Sequence, residues 1–85
     1  MSREAVAKRF GENLARQRER AGVSQDELSV RTSLHRTEIS QLERGLRIAR
    51  VDTLVRLAGG LDVRPEDLLD GLKWSRGETR EGKFT

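Results

Sequence analysis

The sequence predicts one small all-α domain of five helices. Three observations carry that expectation. Apolar residues recur at three- and four-residue intervals from Val6 to Leu72, with no run of strict alternation. Ser2, Ser24 and Pro65 stand where helices would start, and Gly22, Gly45 and the Gly59-Gly60 pair where they would stop. The chain has 85 residues, enough for one domain with a small core.

Each element has its own warrant. Val6, Phe10 and Leu14 repeat every four residues, with Ala7 and Ala21 near the same stripe. Residues 2–21 therefore read as a long amphipathic helix, capped by Ser2 and ended by Gly22. Ser24 and Glu27 have the spacing of a capping box, so a second helix covers 25–31. Its one strong apolar anchor is Leu28, so it depends on its neighbours to persist. Thr32-Ser33-Leu34 form a turn, and a third helix covers 36–44 with Ile39 and Leu42 inward. Residues 46–50 (LRIAR) make a basic loop. Val51, Leu54, Val55, Leu57, Ala58 and Leu61 give a fourth helix, with Gly59-Gly60 as its expected end. Pro65 opens a fifth, with Glu66 and Asp67 in its first turn and Leu68, Leu69 and Leu72 as anchors. Residues 1–72 then form the domain, and 73–85 (KWSRGETREGKFT) a flexible tail.

Composition narrows the function. The absence of Cys excludes disulfides, thiolate metal sites and a thiol nucleophile. The single His, His35, lies three residues from Glu38 but has no third ligand for a metal. Gly59-Gly60 lacks the Lys-Ser/Thr of a phosphate-binding loop. Asp62, Glu66, Asp67 and Asp70 read as a solvated acidic face. No nucleophile has a neighbouring base, so neither an enzyme nor a cofactor or small-molecule ligand is expected. No apolar run approaches ~18 residues, and MSREAVAKRF has no apolar signal core, which suggests a cytoplasmic protein without membrane contact.

The net charge of +3 conceals an uneven distribution. Residues 31–50 carry five cations and two anions, and residues 51–70 carry two cations and five anions. Such a dipolar chain fits an anionic partner on one side, although mixed charge also keeps any small domain soluble. The third helix sharpens the point. At about 100° per residue, Arg36, Ser40, Arg44, Thr37 and Gln41 fall on one face, opposite Ile39 and Leu42. The arc from Arg36 to Gln41 holds no carboxylate. Arg can donate twice to guanine and Gln can pair twice with adenine, so this face has the groups that read base edges. An ordinary solvated face, which usually mixes Glu with Lys, is the alternative.

SQDELSVRTSLHRTEISQLERG, in order with ARQRERAGVSQDEL before it and DTLVRLAGGLDVRPEDLL after it, resembles the phage repressor and Cro family, the xenobiotic-response-element type. The likeness runs from about Phe10 to Leu69. It implies a five-helix, lambda-repressor-like DNA-binding domain whose helices two and three form a helix-turn-helix. It places Arg36, Thr37 and Gln41 against bases, with Ser40 at the margin. It places Gln25, Arg44 and Arg47 on the DNA backbone, where His35 and Arg50 are also candidates. It pairs Arg18 with Glu43 as a structural ion pair, and both flank apolar stripes as that pairing needs.

Four departures from the family pattern bear on how the third helix is held. Ser29 stands for the usual Ala and fits if its hydroxyl bonds a carbonyl in the preceding turn. Ser33 stands for the turn Gly, at a cost of about 1 kcal/mol if φ is positive. His35 stands for a Ser or Thr cap, so that capping bond is expected to be weakened or lost. Ala49-Arg50 stand for Pro-Ser or Pro-Thr, and Arg50 is a poor cap.

The resemblance implies a transcriptional repressor acting as a homodimer on a palindromic operator, with half-sites about 34 Å apart. Val63, Leu69, Leu72 and Trp74 form the candidate dimer surface, and Trp74 could equally pack back on Leu69 and Leu72. A restriction–modification controller, an antitoxin and a protein-binding helix-turn-helix remain open, the last favoured by the acidic 51–70 stretch.

Overall fold

Five helices and a two-stranded ribbon make up the chain in the computed structural model, which describes residues 2–77 and 81–85. The order is α1 (Arg3–Ala21), α2 (Gln25–Thr32), α3 (Arg36–Glu43), α4 (Val51–Leu61), α5 (Pro65–Leu68), β1 (Trp74–Ser75) and β2 (Lys83–Phe84). At about 1.5 Å per residue α1 is about 28 Å long, and α3, α4 and α5 all pack on it. Leu14, Leu28, Ile39, Leu42, Leu57 and Leu68 are fully buried, so every helix gives at least one side chain to a single core. Burying each such side chain contributes about 1.5–3 kcal/mol, which is what holds helices as short as α2 and α3 in place.

Local chemistry sets the boundaries. The Ser2 hydroxyl accepts from the Ala5 N–H at 3.1 Å. Gly22 ends α1 in the left-handed region at φ 70°, and the Val23 N–H closes on the Arg18 carbonyl at 3.2 Å. The Ser24 hydroxyl accepts from the Glu27 N–H at 3.0 Å. The Glu27 carboxylate, however, is turned to Arg31 at 2.8 Å, so only the hydroxyl half of the expected capping box is made there. The reciprocal carboxylate bond occurs instead at α5, where the Arg64 N–H donates to Asp67 Oδ2 at 2.9 Å.

Two expectations are corrected. Gly59 and Gly60 do not end α4, which continues through Leu61. Gly60 serves helix packing, since a Cβ there would lie 2.6 Å from Thr32 Cγ2 on α2. Asp62 ends the helix instead, in the left-handed region at φ 55°. Helix α5 is a single turn and stops at Leu68, short of Leu72. There the fully buried Asn13 donates to the carbonyls of Leu68 (3.1 Å) and Asp70 (2.8 Å), and Gly71 turns the chain at φ 81°. The stretch expected as a flexible tail holds the ribbon. Trp74 pairs with Phe84 and Ser75 with Lys83 in an antiparallel ribbon, and the Thr85 N–H donates to the Lys73 carbonyl at 2.6 Å. The Trp74 and Phe84 rings meet edge to face with centroids 5.1 Å apart, while Trp74 stays 56% exposed. Two-residue strands are too short to show the alternation that announces a strand in sequence.

Candidate nucleic-acid interface

The orientation of α3 is set first by the turn that precedes it. Ser33 occupies the left-handed region at φ 59° and ψ 25°. The Thr32 hydroxyl donates to the Leu28 carbonyl at 2.7 Å and accepts from the Leu34 N–H at 3.3 Å. The Ser29 hydroxyl donates to the Leu34 carbonyl, across the turn and not in the preceding turn as expected. Side chains thus satisfy backbone groups that the turn would otherwise strand, and Leu34 is buried beneath them.

The cap of α3 also differs from expectation. His35 Nδ1 accepts from the Thr37 N–H at 3.1 Å, so the imidazole does the capping work assigned to Ser or Thr. A neutral ring that accepts at Nδ1 carries its proton on Nε2. The exposed His35 can therefore cap with one nitrogen and donate with the other.

The inner side of α3 is fixed by contact with α1. A Cβ on Gly11 would lie 2.3 Å from the Leu42 carbonyl oxygen, so only glycine allows this approach. Beside it, Arg18 grips Glu43 with two bonds, Nε to Oε2 at 2.6 Å and Nη2 to Oε1 at 3.0 Å. Arg18 Nη1 also donates to the Val23 carbonyl at 2.9 Å, and Gln25 Nε2 donates to Glu43 Oε1 at 3.1 Å. The Glu43 side chain is 8% exposed, which withdraws its charge from the outer face of α3. Hydrogen bonding to Glu43, more than its burial opposes, raises the Arg18 guanidinium pKa above the ordinary value. Arg18 is spent on this network, and so is one amide hydrogen of Gln25. Gln25 still presents its backbone N–H at the first position of α2, one of the donors a helix leaves unpaired.

The outer face gathers the remaining polar residues. Arg36 and Thr37 are exposed at the start of α3, with Ser40 and Gln41 half-buried one turn on. Arg36 Nε lies 2.9 Å from Asp26 Oδ1 on α2. Gln41 Oε1 accepts from Arg47 Nη1 at 3.0 Å, which ties the basic loop to the helix. Arg44 closes α3 exposed, with no carboxylate at ion-pair distance among the described residues. Arg50 precedes α4 without a side-chain cap and pairs with Asp52 at 3.2 Å. Base-edge donors and acceptors are thus flanked by guanidinium groups, an arrangement that can hydrogen-bond bases while neutralising phosphates.

Sequence reasoning missed three positioning residues. Gly11 carries a signal, since a lone Gly inside a helical pattern often marks close packing. Asn13 sits beside the buried stripe of α1, and a polar residue there must find partners. Asp26 meets Arg36 across the turn, a pairing no helical spacing announces. Of the expected dimer residues, Val63 and Leu72 are half-buried against the domain's own core, and Leu69 is 38% exposed. Val51 and Val55 on α4 are more exposed, at 78% and 55%. An apolar cleft of about 100 Å³ lies between Phe10, Ile48, Leu54, Leu69 and Leu72.

Known proteins share this fold. The helix-turn-helix family HTH_3 matches residues 14–68, from mid-α1 to the end of α5. Control protein C.BamHI of Bacillus amyloliquefaciens is 39% identical over 62 residues, 72% of this chain and 76% of that protein. The HTH-type transcriptional regulator y4dJ of Sinorhizobium fredii is 39% identical over 64 residues, 75% of this chain and 83% of that protein. Among solved structures, the restriction-modification controller protein C.AhdI from Aeromonas hydrophila superposes with a TM-score of 0.73 at 33% identity, covering 75% of this chain and 97% of that one. The chain belongs to the HTH_3 helix-turn-helix family of repressor- and Cro-type transcriptional regulators.

Proposed function

We propose that this chain binds double-stranded DNA by sequence, with α3 in the major groove, and regulates transcription as a homodimer of the controller kind. One observation carries the reading. The outer face of α3 presents Arg36, Thr37 and Gln41 with basic residues at its end, while Glu43, the α3 carboxylate nearest that face, is paired inward with Arg18. Arg36, Thr37, Ser40 and Gln41 contact bases, and Gln25, His35, Arg44, Arg47 and Arg50 contact the backbone. The likeness to two controller proteins favours a regulator of a restriction–modification operon over an antitoxin. Such a protein works in the cytoplasm and needs no cofactor.

One eight-residue helix reaches only a few base pairs, so a second copy supplies the rest of the specificity. Leu69 and Trp74, with Val51 and Val55 on α4, form the dimer surface in this reading. Selection of binding sites from random duplex DNA tests it. Recovery of a sequence repeated with two-fold symmetry, with centres about 34 Å apart or a multiple of that, supports the reading. Recovery of unenriched sequence refutes it.

A further inference from the structure

We propose that Asp26 is a positioning residue for base reading, holding Arg36 so that one edge of its guanidinium addresses a guanine. The inference rests on the DNA-binding reading above. Its observation is the contact across the turn, Arg36 Nε to Asp26 Oδ1 at 2.9 Å, between side chains 61% and 79% exposed. A guanidinium can meet guanine O6 and N7 with two edges, Nε with one terminal nitrogen or the two terminal nitrogens together. Asp26 occupies Nε. A carboxylate there crowds the side-on edge and leaves the end-on pair Nη1 and Nη2 open to guanine.

Two effects follow from where Asp26 sits. In the free protein the pair is solvated and contributes little to stability. When the face is covered by DNA and water leaves, the same pair strengthens and the long Arg36 side chain has fewer rotamers to lose. A carboxylate at this face also repels phosphates, which weakens binding that lacks the compensating guanine contact. Asp26 thus increases the gap between correct and incorrect sequence instead of affinity in general. If Asp26 served only the positive end of α2, its removal would alter stability and leave base preference alone.

The test compares wild type, Asp26→Ala, Asp26→Asn, Arg36→Ala and the Asp26→Ala/Arg36→Ala double variant. Each is titrated with the selected duplex, with duplexes altered one base pair at a time, and with random-sequence duplex. Thermal melts confirm folding. Arg36→Ala is expected to lose about tenfold discrimination or more at one guanine, as a bidentate contact does. Asp26→Ala should lose roughly threefold to fivefold at that same position, while random duplex binds as well or better. Asp26→Asn keeps the size and removes the charge, so it should lose discrimination as Asp26→Ala does if the ion pair holds Arg36. In the Arg36→Ala background, Asp26→Ala should change nothing further at that position. Unchanged discrimination in Asp26→Ala, an equal loss at every position, or the same loss without Arg36 overturns this inference alone. No duplex binding by wild type overturns the DNA-binding assignment as well, and unchanged selectivity in Arg36→Ala overturns the base contact given to Arg36.

Discussion

Gly11 on α1 and Leu42 on α3 approach so closely that a Cβ on Gly11 would sit 2.3 Å from the Leu42 carbonyl oxygen and 2.7 Å from that of Glu43. Both obstacles are backbone atoms, which no rotamer change can move aside. The contact sets the depth at which α3 seats on α1, and therefore how far its outer face projects.

Gly11→Ala gives two physical effects of opposite sign. Helix propensity alone would stabilise the domain by about 0.8–1 kcal/mol, because Gly is a poor helix former. The clash forces α3 away from α1, at about 1–3 kcal/mol or more. We expect the clash to win. The denaturant midpoint should fall, and selective DNA binding should weaken more than non-selective binding. A midpoint that rose would show that the two helices can separate without cost.

The helix-turn-helix is legible in the sequence because its punctuation and its apolar anchors agree. Ser24, Leu28, Ile39, Leu42 and Gly45 each have one consistent role. The Arg18–Glu43 pair is within reach because both residues flank buried stripes on neighbouring helices. What escapes is chemistry that depends on three-dimensional meeting. Gly59-Gly60 looks like a stop, yet Gly60 lets α4 pass close to Thr32. The shortness of α5 follows from Asn13, 55 residues before Leu68, claiming its last carbonyls. Capping by His35 escapes because propensity ranks Ser and Thr above His, although imidazole nitrogen is a competent acceptor.

Ser33 offers the opposite kind of test, a site where the natural residue is not the most stable one. Its φ of 59° suits glycine, and its side chain is exposed. Relief of left-handed strain contributes about 1–2 kcal/mol, partly offset by the greater freedom of Gly in the unfolded chain. Ser33→Gly should therefore raise the melting temperature by a few degrees, on the scale of about 4–8 °C per kcal/mol for a domain of this size. Ser33→Ala keeps the strain and should give no gain. Thermal melts of the two variants decide the matter, because a nonspecific benefit from losing the hydroxyl would raise both.

Asp67 predicts a pH dependence with a defined sign. The Arg64 N–H that it accepts holds its carboxyl below the usual carboxylate range, helped by the Arg64 side chain. A lowered folded-state value means that this stabilisation is fully present above the ordinary carboxylate range. It is lost as pH falls through that range toward the lower folded-state value. Asp67→Asn should leave a domain whose stability falls less steeply over the acid interval below about pH 4. Melting curves across that interval check the slope. Equal slopes for variant and wild type would mean that other carboxylates set the acid response.

The bond between Arg47 and Gln41 joins a loop cation to a residue of the reading face, at 3.0 Å from Nη1 to Oε1. Their roles separate by the way each loss spreads over sequence. In the proposed reading Gln41 meets one base, so Gln41→Ala should cost about 1–3 kcal/mol on the selected duplex and relax preference at that position. In the same reading Arg47 meets a phosphate, so Arg47→Ala should weaken every duplex to a similar degree and reduce the salt slope by about one. Titrations at several salt concentrations, on matched and altered duplexes, measure both quantities together. A variant of Arg47 that kept the wild-type slope but lost preference at the Gln41 position would assign its guanidinium to holding Gln41 in place. The phosphate contact would then fall to Arg44, which has no carboxylate at ion-pair distance among the described residues.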